Sequence, residues 1–239
     1  MQIRKFLPVG LLLWSGCAPP RIEHRAWWYA ERGTPRMEGI VHSQGDRESA
    51  AGLFVFYHPN GAMAARGALK DVPLPRQPDF LDNETVLPDS GREGWWEFFH
   101  PNGRLLSAGL YLEGQRHGLW EQHMLDGTLA HETNYCTGRL HGSQRSWSAA
   151  GVLLKETSFS MGEEQGLHRE WDEAGQLREE RVFAAGKLEG LSRSLDERGV
   201  CREEAHYHEG LLHGLRTLRD ADGILLSSVV YRNGNPLPQ

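Results

Sequence analysis

Residues 94–117 read GWWEFFHPNGRLLSAGLYLEGQRH, and residues 118–141 read GLWEQHMLDGTLAHETNYCTGRLH. Glycines fall at the same three places in both: Gly94, Gly103 and Gly114 in the first, Gly118, Gly127 and Gly138 in the second. The triplet recurs every 24 residues from Gly142, Gly166, Gly190 and Gly214, and ends at Gly234. A fixed period with a fixed internal pattern marks a repeat array, in which each unit is one supersecondary element. With the first glycine of a unit as position 0, position 11 carries Leu105, Leu129, Leu153, Leu177, Cys201 and Leu225. Position 17 carries Tyr111, Tyr135, Phe159, Phe183, Tyr207 and Tyr231. Position 1 holds Trp95, Leu119, Leu167, Leu191 and Leu215, and position 5 holds Phe99, Trp147, Trp171 and Leu195. Apolar residues at alternate positions make each unit a pair of strands, because a helix would space them three and four apart.

Positions 7 to 9 read Pro101-Asn102-Gly103, Leu125-Asp126-Gly127 and Ala221-Asp222-Gly223, the order favoured by a type I turn followed by a left-handed residue. A three-residue loop pairs position 6 with position 10, and so sets positions 1, 3 and 5 on the same face as 11, 13, 15 and 17. That face is expected to be the apolar one. Even positions, including the acids Glu156, Glu180 and Glu204 at position 14, are expected to be wet. The expected fold is all-β: an elongated antiparallel meander of 24-residue β-hairpin repeats, forming a curved or twisted single-sheet array.

The array extends upstream. Gly52 opens a clear unit whose His58-Pro59-Asn60-Gly61 nearly copies His100-Pro101-Asn102-Gly103. Between Gly52 and Gly94 lie 42 residues where 24 are expected, and the excess falls in residues 71–92, which contain Pro73, Pro75, Pro78 and Pro88. Prolines at that density cannot continue a strand ladder, so an inserted loop is expected there. Before Gly52 the pattern blurs: Trp27-Trp28-Tyr29 looks like a first strand, and residues 17–51 are read as a linker and a degenerate capping repeat. The chain is then one array over residues 52–237.

The first 16 residues do not belong to the fold. Arg4 and Lys5 precede a short apolar run from Phe6 to Trp14, too short to span a bilayer, and Leu13-Trp14-Ser15-Gly16-Cys17 follows. Ser-Gly-Cys after leucines resembles the lipobox of bacterial lipoproteins. The resemblance implies a signal peptide over residues 1–16, lipidation of Cys17 and a lipid-anchored place in the cell envelope, at the outer membrane of a Gram-negative host. Trp14 departs from the aliphatic residue usual there, and the alternative is plain secretion.

The repeat units carry a second resemblance. Tyr111-Leu-Glu-Gly-Gln-Arg-His-Gly-Leu-Trp and Tyr207-His-Glu-Gly-Leu-Leu-His-Gly-Leu are similar to MORN repeats of the bacterial variant type, with seven copies in register from Gly52 to Gly234. The resemblance implies an elongated hairpin scaffold for protein or lipid contacts. Bacterial members are often labelled antitoxin-like, which makes an antitoxin or immunity-type inhibitor of a toxin the alternative function. Carbohydrate or peptidoglycan binding is a further one.

Other classes are set aside on residue grounds. Without Arg4 and Lys5 the chain keeps 24 basic against 32 acidic residues, a net charge near −8 and the wrong sign for nucleic acid. No cofactor is expected, and no Gly-x-Ser-x-Gly, phosphate loop or His-Glu-x-x-His points to an enzyme. No metal is expected either: His117, His141 and His213 recur at one turn position too far apart to converge, while His206 and His208 would need a third ligand. The expected partner is a protein, with the membrane reached through Cys17. Its candidate contact surface lies on the supposedly wet face, where Phe54, Phe56, Trp96, Phe98 and Trp120 at positions 2 and 4, with Leu106 and Leu110 beside them, form an apolar patch at one end only. The insertion folding back over that patch, through Leu74, Phe80, Leu81, Val86 and Leu87, is the alternative.

Overall fold

The computed structural model describes residues 21–28, 35–44, 47–73 and 90–238. Cys17, Tyr29 and most of the insertion lie outside the described residues. The strands are β1 (Arg21–Trp28), β2 (Pro35–Gln44), β3 (Arg47–Tyr57), β4 (Met63–Pro73), β5 (Arg92–Phe99) and β6 (Leu105–Leu112). They continue as β7 (Gln115–His123), β8 (Leu129–Cys136), β9 (Arg139–Trp147), β10 (Leu153–Ser160), β11 (Glu163–Trp171) and β12 (Leu177–Ala184). The last are β13 (Lys187–Leu188), β14 (Gly190–Leu195), β15 (Cys201–His208), β16 (Leu211–Arg219), β17 (Leu225–Arg232) and β18 (Asn235–Pro236). Each strand pairs antiparallel with the next, except that β13 and β14 are two pieces of one strand, both paired with β12. Among the described strands β1 pairs only with β2 and β18 only with β17, so the sheet is an open meander of hairpins. The insertion does not interrupt it, because β4 and β5 pair directly, with Arg66 opposite Glu97.

The three glycines of every unit from Gly94 to Gly234 have φ between 68° and 106°, which is why glycine holds these places. At Gly103 the amide donates to the His100 carbonyl (2.8 Å) while the His100 amide donates to the Arg104 carbonyl (2.8 Å), closing the expected loop. The loops are also clipped to one another along the array. Asn60 Nδ2 donates to the Pro101 carbonyl and Asn102 Nδ2 to the Leu125 carbonyl, at 2.8 and 2.9 Å. At the other end of each unit, Glu113 and Gly114 both have positive φ, the two-residue turn whose twist matches that of the strands.

The face assignment differs from the expected one, and one residue per unit is the reason. Position 5 faces position 11, Phe99 against Leu105, as the odd loop requires, but position 4 faces position 13, Phe98 against Ser107. Leu106 between them has no partner. The same bulge falls at Ala64, Ala130, Leu154, Arg178, Arg202 and Leu226. Because side chains alternate along a strand, a slip of one residue brings positions 2 and 4 onto the face of 13, 15 and 17. Adjacent tryptophans show the outcome: Trp96 is 0% exposed and Trp95 57%. Phe54, Phe56 and Trp120 are buried with Trp96, and Phe98 packs against them, so these rings of the expected exposed patch are the hydrophobic core; Leu110 lies on the other face, opposite Trp95, and Leu106 at the bulge, both half-buried. Conversely Trp95, Leu119, Leu167 and Leu215, expected inside, are exposed.

That core is a chain of rings crossing the sheet. Trp27, Phe54, Phe56, Trp96, Phe98 and Trp120 follow one another at centroid separations of 5.8–6.4 Å, and Tyr111 stands edge-on to Trp96 and Trp120. Three rings lie directly over glycine backbone: a Cβ on Gly39 would come within 2.4 Å of Phe54, one on Gly67 within 2.2 Å of Trp96, and one on Gly109 within 2.3 Å of Trp120. The indole N–H groups donate to the Ala68 and Leu110 carbonyls (both 3.0 Å), and the Arg92 and Arg116 guanidiniums lie over the rings of Trp96 and Trp120. Beyond β8 the ring column turns polar, with Gln144, His168, Ser192 and Arg216 at position 2.

The inversion is directly testable by equilibrium urea unfolding of two single variants. Trp96→Ala should cost about 3–5 kcal/mol, as for other buried aromatics. Trp95→Ala, one residue away, should stay within about 0.5 kcal/mol of the parent. Equal losses would refute the bulged register.

Candidate functional site

On the outward face the register pairs position 1 with position 16. Trp95 lies opposite Leu110, Leu119 opposite Asn134, Leu167 opposite Val182, Leu191 opposite His206 and Leu215 opposite Val230. Leu53, Trp95, Leu119, Leu167, Leu215 and Val230 are exposed, so an apolar row runs along the array on a face open to solvent. Ser143 opposite Ser158 interrupts it, and Asn134 and His206 are polar partners within it.

Beside that row, on the same face, position 3 pairs with position 14. The result is a column of alternating sign, Glu132, Arg145, Glu156, Arg169, Glu180, Arg193 and Glu204, each directly opposite the next. The sequence reading placed the arginines and the position-14 glutamates on opposite faces, and the bulge brings them together. Arg145 Nε donates to Glu156 at 2.8 Å, and Arg169 Nε to Glu180 at 2.8 Å, while Arg193 reaches Glu180 from the other side. Hydrogen bonds from Arg169 and Arg193 hold the Glu180 carboxyl below the usual carboxylate range. Each arginine of the column stands between two glutamates, and the column flanks the apolar row as a polar border.

The opposite face carries a different cluster in the unit that opens at Gly166. His168 occupies position 2, where earlier units have Trp96 and Trp120, and its side chain is 6% exposed. Its Nε2 lies 3.1 Å from Glu170 Oε1, its Nδ1 3.3 Å from Thr157 Oγ1 and 3.6 Å from Glu164 Oε1, and its ring 5.8 Å from Phe183. Glu179 stands directly opposite Glu170 across β11 and β12. Among the described residues, ligand atoms of His168, Glu170 and Glu179 lie within 4.8 Å of one another. The sequence reading passed over this trio because no spacing motif joins it. Its legible signal was the break in the ring column, where a histidine stands in place of an indole.

Three other histidines bond outside this cluster. His213 Nδ1 lies 3.1 Å from Asn233 Oδ1, His206 Nδ1 3.2 Å from the Leu215 carbonyl, and His208 Nδ1 2.9 Å from Glu189 Oε1. The bond to Glu189 raises the His208 pKa above the ordinary imidazole range. Compared with known proteins, the chain matches no family model and no curated protein significantly.

The ionic column has a pH signature. Because the folded-state pKa of Glu180 is depressed, its contribution is full above the carboxylate range of the unfolded chain and disappears as pH falls through the folded value. Glu180→Gln should therefore lower stability by about 0.5–1 kcal/mol at pH 7, in keeping with partly exposed ion pairs. The two proteins should converge in strong acid, and urea midpoints measured across that range decide it. A difference that persists unchanged in acid would mean the glutamine disturbs packing, not charge.

Proposed function

We propose that this chain is a non-catalytic, lipid-anchored repeat scaffold of the bacterial envelope, of the MORN-like kind that its units resemble, and that it contacts a protein partner along its exposed apolar row. The observation that carries the reading is the periodicity of that row. Leu53, Trp95, Leu119, Leu167 and Leu215 keep large apolar side chains in solvent at one position of their units, with Ser143 the exception and Leu191 half-buried. Single exposed leucines need no explanation, but an aligned series along one face is the kind of surface that proteins cover with a partner. A quasi-one-dimensional array suits this use, since it lengthens a contact surface without enlarging a core. The column of alternating charge from Glu132 to Glu204 supplies a polar edge beside an apolar centre, the usual anatomy of a contact surface. Anchoring rests on Leu13-Trp14-Ser15-Gly16-Cys17 and its resemblance to a lipobox.

Crosslinking and pull-down from membrane fractions test the contact surface. The combined variant Leu119→Glu, Leu167→Glu and Leu215→Glu, all at exposed sites, should unfold at nearly the parent's urea midpoint but lose the partner captured by the parent. Undiminished capture would remove the apolar row from consideration. For the anchor, a fatty-acid analogue should label the parent protein and not Cys17→Ala; equal labelling of both excludes lipidation there.

A further inference from the structure

We infer that His168, Glu170 and Glu179 bind one first-row divalent transition-metal ion, Zn²⁺ being the representative probe. Four observations converge on this trio, and none depends on the scaffold reading.

The first is electrostatic. Glu170 and Glu179 lie directly opposite one another in an antiparallel pair, an arrangement that is destabilising for like charges and that a cation between them reverses. The second is geometric. With metal bonds of about 2.1 Å, neighbouring ligand atoms of one coordination sphere stand roughly 3–3.5 Å apart. His168 Nε2 and Glu170 Oε1 are 3.1 Å apart, and the Glu179 carboxylate completes a trio within 4.8 Å, so a small side-chain rotation closes the set.

The third is the support behind the imidazole. Nδ1, the nitrogen facing away from Glu170, lies 3.3 Å from the hydroxyl of the buried Thr157 and 3.6 Å from Glu164 Oε1. A hydroxyl or carboxylate in that place fixes the tautomer and ring orientation of a ligating histidine. The fourth is access. Glu179 lines a cavity of about 260 Å³, bounded also by Arg181, Ser192, Ser194, Glu203 and Tyr207, where small serines replace the rings of earlier units. The cavity adjoins Glu179 alone of the three, and on the other side the Glu170 side chain is 42% exposed, so the trio meets solvent there.

Two cations border the site. Lys155 Nζ donates to Glu170 Oε1 at 3.0 Å, and Arg181 pairs with Glu179. Both cations are partly exposed, and each carboxylate has a second oxygen, so the ion displaces or re-seats them without breaking a buried pair. One nitrogen and two carboxylate oxygens form a donor set suited to Zn²⁺ and its first-row neighbours, the remaining positions being taken by water.

The test uses the full chain, stripped with a chelator and dialysed. Calorimetric titration with Zn²⁺, and with Co²⁺ followed by visible absorption, should give one ion per chain at micromolar metal, with thermal stabilisation of the protein. Glu179→Gln and His168→Gln should each weaken binding about tenfold or more. His168 is buried and its variant can lose stability for unrelated reasons, so Glu179→Gln, at the cavity wall, decides the matter in a protein shown to be folded by circular dichroism. Absence of saturable binding in the parent overturns the inference. So does unchanged affinity in folded Glu179→Gln, which would move the ion elsewhere, for example to His208 and Glu189.

Discussion

The structure depends on one unpaired residue in each hairpin. Leu106 and its counterparts sit where the second strand carries one residue more than its partner, and every side chain beyond that point changes face. In a single sheet built of short strands, which face is buried decides nearly everything else. It sets which rings form the core, which leucines meet solvent and which charges meet each other. The bulge also bends and twists the strand that carries it, and it recurs at the same place in seven hairpins, so its geometric effect adds along the array.

Two chemistries hold the two ends. From β2 to β8 the buried face is a run of aromatic rings, three of them laid on bare glycine backbone, with Trp96 and Trp120 also capped by guanidinium groups. Toward the C-terminal end the same positions become Gln144, His168, Ser192 and Arg216, and ion pairs on both faces take a larger part: Arg145 with Glu156, Arg169 with Glu180, Arg216 with Glu203. Apolar burial stabilises far more per residue than partly exposed ion pairs. The C-terminal units therefore depend more on their neighbours, as expected of a quasi-one-dimensional array in which each unit touches only adjacent ones.

The same face reversal bears on function. It withdraws Phe54, Phe56, Trp96 and Trp120 into the core and puts Trp95, Leu119, Leu167 and Leu215 in solvent, so the proposed contact surface runs along the array and is not confined to one end. On the other face, loss of the ring column opens room for unlike polar groups, and His168 gathers Thr157, Glu164 and Glu170 in the place an indole fills two units earlier. Departure from a repeat is where individual chemistry can appear, because identical side chains in parallel rows do not converge on one point.

The sequence alone determined the period, the hairpin units, the loop at Pro101-Asn102-Gly103 and the glycines with positive φ, since each of these is written in local backbone chemistry. It also identified the inward ring at position 17, where Tyr111 is buried and Tyr135 packs against the core. It did not reveal the bulge. The residues that occupy it are Leu, Ala and Arg by turns, with no glycine or proline to mark them, because an unpaired strand residue keeps ordinary backbone angles and any side chain fits there. Only the tertiary pairing of one strand against the next decides whether position 4 meets position 12 or position 13. With side chains alternating every residue, that single step assigned the core, the ionic column, the apolar row and the company of His168.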